Sequence, residues 1–346
     1  MEGPAGATER VTTRTNRESP VLKVSNLKTY LYTRWGVTKA VDDVSFELYP
    51  GETLGIVGES GSGKSMLALS LVRLTPEPAS RIESGSVVLN GRDLLVLSDR
   101  EMRKVRGKEI SMILQDPQQS LNPVFTIGNQ LVEAIRAHDS VAGTNEVHRR
   151  AIAALENVRL PAPERRLRNY PHEISGGMKQ RVVGAMALAF QPQVLIADEP
   201  TTALDVTIQA QYLRLLEELQ MQTGVSIILI THDFGVVAET CDRVAVMYAG
   251  RIVEQGPVDQ IFDNPRHPYT KALLESRPRI DFVGERLPSI AGQPPALHDL
   301  PAGCRFALRC PYVEDQCRAS YPDDVRCGEQ HVAACWRAGE PLWPHL

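Results

Sequence analysis

From Val21 the chain alternates short β-rich runs with polar breaks: VLKVSNLKTYLY, AVDDVSFELYP, ETLGIVGES and SGSVVLNG. Alternation of this kind predicts an antiparallel sheet that leads into a buried strand, LGIV. SMLALSLVRL follows with a helical pattern. Between about Pro117 and Ala189 apolar residues recur at spacings of three and four, which predicts a mostly helical region. VLIAD and VSIILIT are continuous apolar runs bounded by polar residues, as central parallel strands require. VTIQAQYLRLLEELQMQTG lies between them and reads as an amphipathic helix closed by Gly224. Strand, helix, strand is the unit of an α/β core. AVMYAGRIVEQG then reads as a hairpin turning at Ala249-Gly250. After Asn264 the texture changes: prolines crowd in, and five of the six cysteines lie beyond it. A domain boundary is expected near residue 265. No internal repeat is visible.

Composition adds bounds rather than detail. At 346 residues the chain accommodates two domains, or one large domain with an appendage. A net charge of -4 and a pI of about 6.1 give no reason to expect attraction to nucleic acid or an anionic membrane. MEGPAGATERVTTRTNRESP carries both signs of charge and no apolar core, so residues 1–20 are expected to be a flexible tail rather than a signal peptide. No apolar run approaches the length of a membrane span; SIILIT suits a buried strand. The expectation is a soluble, cytoplasmic protein, in which structural disulfides are not expected.

GESGSGKS, Gly58 to Ser65, fits the phosphate-binding loop pattern G-x-x-x-x-G-K-[ST]. Gly58, Ser60, Gly61 and Gly63 let backbone N–H groups turn toward nucleotide phosphates, and the helix that follows adds its positive end. Lys64 is placed to reach the β- and γ-phosphates and Ser65 to bind Mg²⁺. LGIV before the loop and a helical pattern after it argue against a plain Gly/Ser turn. VLIADEP supplies the second half: Asp198 ends a strand and is the expected carboxylate near Mg²⁺. Glu199 is the candidate to orient or deprotonate the attacking water. The implied reaction is ATP hydrolysis.

ISGGMKQR, Ile174 to Arg181, resembles the signature motif of ABC (ATP-binding cassette) ATPases, a P-loop fold with a RecA-like parallel core, an antiparallel β subdomain and a helical subdomain. Gln115 in MILQDP resembles the Q-loop of that family, Ala203-Leu204-Asp205 its D-loop, and His232 in ITHD its switch histidine. By the resemblance, Gln115 joins Ser65 and Asp198 around Mg²⁺, and Glu199, Gln115 and His232 serve catalysis. Ser175, Gly176 and Gly177 precede a helix and offer a second anion-binding terminus. In the family that terminus caps the γ-phosphate on the opposite subunit, with Asp205 nearby, which implies a sandwich dimer. An aromatic residue normally stacks on adenine; here Leu31 aligns with it, and Tyr30 or Tyr32 could take the role, Tyr32 being the choice.

GIVGESGSGKS, SMILQDPQQSLNP, IADEPTTALDVTIQAQ and NPRHPYTKALL are similar to the ATPase subunits of bacterial oligopeptide/dipeptide importers, a family that includes nickel importers. The resemblance runs from about Val21 to Cys335. It implies an ATPase domain over 21–265 with a helical subdomain at about 117–189, and a Pro/Cys-rich extension over 266–346. It further implies a second ATPase in a heterodimer, two permease subunits and an extracytoplasmic binding protein. The location would be peripheral, at the cytoplasmic face of the inner membrane. A soluble ABC ATPase acting on nucleic acid or ribosomes is the rival; no fused second cassette, coiled-coil insertion or basic patch supports it.

In CRFALRCPYVEDQC the spacing C-x5-C-x6-C is wider than that of zinc fingers and differs from ferredoxin runs. Spacing therefore favours a thiolate site without naming a metal. By resemblance, Cys304, Cys310, Cys317 and, after His331, Cys335 match the ligands of a [4Fe–4S] cluster. Zinc and no metal stay open, and Cys327 could replace Cys335. Cys241 reads as a buried small apolar residue.

Overall fold

The computed structural model describes residues 19–202, 204–276 and 289–340, so most of the expected N-terminal tail and Ala203 of the D-loop lie outside the described residues. The strands in chain order are β1 (Leu22–Thr33), β2 (Gly36–Leu48), β3 (Thr53–Val57), β4 (Ser80–Leu89), β5 (Arg92–Asp93) and β6 (Ile110–Ile113). They continue as β7 (Val194–Asp198), β8 (Ser226–Thr231), β9 (Arg243–Tyr248), β10 (Arg251–Pro257), β11 (Val325–Arg326) and β12 (Val332–Ala333). β2, β1, β4 and β5 form an antiparallel sheet, as the alternating N-terminal runs predict. The larger sheet runs β11-β12-β10-β9-β3-β8-β7-β6, parallel from β9 to β6 and antiparallel at its other end.

The continuous apolar runs have a simple cause: both faces of the parallel strands are buried. Alternate residues serve two cores. Leu54 and Ile56 of β3, Ile228 and Ile230 of β8 and Met247 of β9 pack with the antiparallel sheet and the helix Lys64–Leu71. Val57, Leu229 and Val246 face the other way, toward Tyr212, Leu216 and the helical residues Leu131, Leu155 and Val182. The region 117–189 contains the helices Pro117–Ser120, Ile127–His138, Thr144–Asn157, Pro163–Arg166 and Gly176–Leu188. The long helix Val206–Thr223 stops where Gly224 adopts φ 73°, the left-handed cap that the sequence marks. The helix after the phosphate loop ends at Leu71, earlier than SMLALSLVRL predicts, because Arg73 turns left-handed at φ 52°.

The hairpin turns at Ala249-Gly250, with φ of 46° and 88°, the mirror-image turn that matches strand twist. Cys241 is buried against Gly55 and Val237, as expected. Beyond residue 289 the chain rejoins the same body. β12 pairs with β10 through Glu254↔Ala333 and Gln255↔Val332, and Phe306 enters the core beside Tyr248 and Tyr269. Those three rings stand 4.4–5.5 Å apart, and each such pair adds about 0.5–1.5 kcal/mol beyond its buried area. Among the described residues no helix is long and apolar enough to cross a membrane.

Candidate functional site

The phosphate loop sits between β3 and the helix Lys64–Leu71, and its glycines are required by space as well as by backbone angle. A Cβ on Gly58 would stand 2.1 Å from the Met247 carbonyl oxygen, and one on Gly63 2.0 Å from that of Ala40. Both also hold positive φ, 154° and 106°, that side chains rarely adopt. Gly61 turns at φ 77° in open space, Ser60 is exposed, and Ser62 N–H donates to Glu59 O to close the loop. Lys64 begins the helix and is buried; its ammonium donates to Gly58 O (2.8 Å) and Glu59 O (2.9 Å). Burial lowers its pKa, against the opposing pull of the Glu199, Asp198 and Glu59 carboxylates. The result is a cationic ring of loop backbone and lysine suited to polyphosphate.

Asp198 closes β7, next to β8 in register, and is buried. Burial raises its pKa and Glu199 adds to the rise, while the Ser65 hydroxyl bonds its carboxylate and, with Lys64, acts the other way. Its Oδ1 has no hydrogen-bond partner among the described residues. A buried carboxylate oxygen left unpaired is costly unless a cation meets it. Ser65 and Asp198 are thus hydrogen-bonded neighbours, and their hard oxygen donors are of the kind that could hold Mg²⁺.

Glu199 adopts φ 45°, a left-handed conformation that strains a residue with a side chain by roughly 1–3 kcal/mol. Its N–H donates to Ile230 O, which fixes the turn. Three side chains converge on its carboxylate. Gln115 Nε2 donates to Oε2 at 3.0 Å, Thr202 Oγ1 donates to the same oxygen at 2.9 Å, and His232 Nδ1 stands 3.5 Å from Oε1. The predicted catalytic residues Glu199, Gln115 and His232 therefore meet, although they come from three chain segments. Gln115 is bonded to Glu199 rather than to Asp198. Thr202 was not foreseen; a threonine in a turn carries no signal until its partner is known.

Ser175 caps the helix Gly176–Leu188, its hydroxyl accepting Met178 N–H at 3.4 Å. Gly176 is open to solvent, while a Cβ on Gly177 would meet Ile208 at 2.8 Å. Asp205 caps the helix Val206–Thr223 through Ile208 N–H. The signature and D-loop helices thus start side by side, and no hydrogen bond among the described residues ties Ser175, Gly176 or Gly177 to the chain's own phosphate loop. Tyr32 is exposed, donating to Glu83 at 2.6 Å with Arg81 over its ring. Tyr30 is instead committed to Asp42 (2.6 Å).

Cys304, Cys310, Cys317 and Cys335 line one cavity of about 20 Å³, with His267 and Phe306 in its wall. Burial pushes Cys304 up to about 11 and Cys335 up to about 12, and Cys310 and Cys317 add to both rises. Cys327 faces elsewhere, toward Val325 O and Ala338 O. Among the described residues no group of three or more His, Cys, Asp or Glu is arranged to hold a metal ion. The four thiols, each half-buried, line the cavity without forming such a group.

Residues 41–202 match the ABC transporter family, and residues 253–317 match the oligopeptide/dipeptide transporter C-terminal region. The Sinorhizobium fredii protein named "Probable peptide ABC transporter ATP-binding protein y4tR" is 52% identical over 92% of this chain and 96% of its own. The dipeptide transport ATP-binding protein DppD of Bacillus subtilis is 50% identical over 91% of this chain and 94% of its own. Among solved structures, the dimeric post-hydrolysis state of the ATP-binding cassette MJ0796 bound to ADP and Pi has a TM-score of 0.61. It is 27% identical and covers 68% of this chain and 98% of its own.

Proposed function

Because the chain belongs to the ABC transporter ATP-binding proteins of the oligopeptide/dipeptide type, we propose that it hydrolyses ATP to energise peptide import. The observation that carries the chemistry is the convergence of Gln115, Thr202 and His232 on a strained Glu199 beside Lys64 and Asp198. Two hydroxyl or amide donors on one carboxylate oxygen leave the other oxygen to accept a proton from the attacking water. His232, largely exposed, is free to follow the γ-phosphate. Ser65 and Asp198, joined by Gln115, would hold Mg²⁺, which supplies charge neutralisation at the phosphate oxygens. Lys64 adds the fixed positive charge on the β- and γ-phosphates.

The exposed helix start at Ser175-Gly176-Gly177, unbonded to the chain's own loop, fits a sandwich dimer in which it caps the partner's γ-phosphate. Residues 21–265 act as the ATPase unit, with 117–189 as its helical part and 266–346 as a C-terminal lobe. The second ATPase is a related subunit, and two permeases with an extracytoplasmic binding protein complete the complex at the cytoplasmic face of the inner membrane. Tyr32, exposed near the β1–β2 turn, stacks on adenine once Arg81 yields its place over the ring. Reconstituting the complex in proteoliposomes tests the reading. Peptide-loaded binding protein should stimulate ATP hydrolysis and drive uptake of defined peptides; uptake of Ni²⁺ with no peptide response would overturn the substrate class.

A second reading concerns the cysteines. Four thiols around one cavity, with Cys327 turned away, favour a [4Fe–4S] cluster on Cys304, Cys310, Cys317 and Cys335. Tetrahedral zinc on the same four thiolates is the alternative, with Zn–S bonds of about 2.3 Å. A cluster spreads four thiolates over separate irons. Anaerobic purification with iron, sulfide and zinc assays decides it; one zinc and no sulfide would overturn the cluster.

A further inference from the structure

Glu59 occupies the first variable position of the phosphate loop, where the loop pattern itself asks for no particular side chain. Yet every polar group of this residue is held. Its carbonyl oxygen accepts the Lys64 ammonium at 2.9 Å, and its N–H donates to the Tyr269 hydroxyl at 2.9 Å. Its carboxylate takes a two-pronged ion pair from Arg309, with Nη1 to Oε2 at 2.6 Å and Nη2 to Oε1 at 3.0 Å. Two of those three partners come from beyond residue 265, 210 and 250 positions away along the chain.

Arg309 is built to stay where it is. Its side chain is only 3% exposed. Nε donates to Ala291 O at 3.0 Å, and the guanidinium lies against the rings of Tyr248 and Phe306, 5.8 and 5.9 Å from their centroids. A planar fork so packed loses little further freedom in pairing with a carboxylate. Phe306 anchors the same segment in the core.

The chemistry of the loop explains why such a clamp is needed. A carboxylate beside bound polyphosphate repels it, and that repulsion is strong where water is partly excluded. Left unpaired, Glu59 would weaken ATP binding directly and would compete with the phosphates for Lys64. Paired with Arg309, its charge is offset and its backbone is fixed at the point that Lys64 touches.

We propose that Arg309 is a positioning residue for ATP: it neutralises and clamps Glu59, so that the cysteine-bearing segment forms part of the nucleotide site. The inference rests on the phosphate-loop reading of Gly58–Ser65. It assigns the C-terminal segment a role in nucleotide affinity that does not depend on what the cysteines hold.

The test is a double-mutant cycle on ATP·Mg²⁺ affinity, measured by calorimetry with the full chain. Arg309→Gln should raise the Kd about tenfold, equivalent to about 1.4 kcal/mol. Arg309→Lys should recover part of that loss. In a Glu59→Gln background, Arg309→Gln should change the Kd less than about twofold, because no carboxylate is left to offset. A structural role through the Ala291 carbonyl alone would give the same loss in both backgrounds, and that outcome overturns the proposal. Thermal unfolding identifies a misfolded Arg309 variant. The affinity loss in Arg309→Gln should shrink as salt rises, because screening weakens the repulsion between the freed Glu59 carboxylate and the phosphates; a loss that does not change with salt overturns the proposal. Lys64→Ala separates the two claims: if it leaves wild-type ATP affinity intact, the phosphate-loop reading falls and this inference with it.

Discussion

Arg305→Met isolates the contact that fastens the C-terminal segment to the hairpin strand β2. Arg305 and Asp42 are each 7% exposed at the side chain, and Arg305 Nη2 donates to Asp42 Oδ2. Its other terminal nitrogen donates to the Ala249 carbonyl in the β9–β10 turn. Removing one member of a buried pair costs about 3–5 kcal/mol, since the remaining charge is stranded. Asp42 is not stranded fully: Tyr30 donates to Oδ1 at 2.6 Å, and Arg251 stands 3.7 Å from Oδ2. Burial alone would raise the Asp42 pKa, but Tyr30, Arg305 and Arg251 together carry it below the usual value. With two of three partners kept, the expected loss is about 2–3 kcal/mol. Urea unfolding of the full chain, followed by circular dichroism, reads it as a lowered midpoint at unchanged slope. Arg305→Met combined with Asp42→Leu should recover more than half of the loss, because neither charge then remains buried. A single-variant loss below about 0.5 kcal/mol would refute the reasoning, as would simple additivity of the two substitutions.

Glu199→Gln should keep ATP affinity within a few-fold and lower turnover about 10²–10⁴-fold, the range of a positioned base; turnover within threefold of wild type in single-turnover assays would remove Glu199 from that role. Ser175→Ala should lower hydrolysis at the partner's phosphate loop while leaving ATP affinity at this chain's loop unchanged, measured in complexes with one inactivated site. His267 is fully buried, and burial lowers its pKa from 6.5 to about 3, so the folded chain resists a proton that the unfolded chain accepts. Its contribution to stability is complete above the ordinary value of 6.5 and falls with pH between 6.5 and 3, by up to about 1.4 kcal/mol per unit. Urea midpoints at pH 7 and pH 5 should differ less in His267→Asn than in wild type; an equal drop in both would exclude this group as the cause.

The parts of this molecule that were legible in the sequence share one property: their signal is local. VLIAD and SIILIT announce strands buried on two faces, and Gly224 announces a helix end, because each depends on neighbouring residues. GESGSGKS is legible for the same reason, with Gly58 and Gly63 fixed by loop geometry. β11 and β12 were not legible. Two-residue strands have no period, and Val332–Ala333 becomes a strand because β10 and β11 pair with it on its two sides. Thr202, Tyr269 and Arg309 belong to the same class: each acts on Glu59 or Glu199 across a fold that spacing does not describe.

The change of texture after Asn264 illustrates the difference. Prolines and cysteines announce a segment with little apolar material of its own, which is correct as chemistry. A segment that cannot build its own core must borrow one, and here the lender is the ATPase. Phe306 fills the aromatic cluster with Tyr248 and Tyr269, Arg305 reaches Asp42, Arg309 reaches Glu59, and the buried Glu254 of β10 accepts the N–H groups of Arg266 and His267 and bonds the His331 ring. Two of these attachments use arginines that bracket Phe306 inside CRFALRC, between Cys304 and Cys310. The same seven residues therefore face two ways: their thiols line the cavity, and their guanidinium groups grip Asp42 of β2 and Glu59 of the phosphate loop. If Arg309 tunes Glu59 as proposed, a change that reorders the thiols and shifts Arg309 would also change nucleotide affinity.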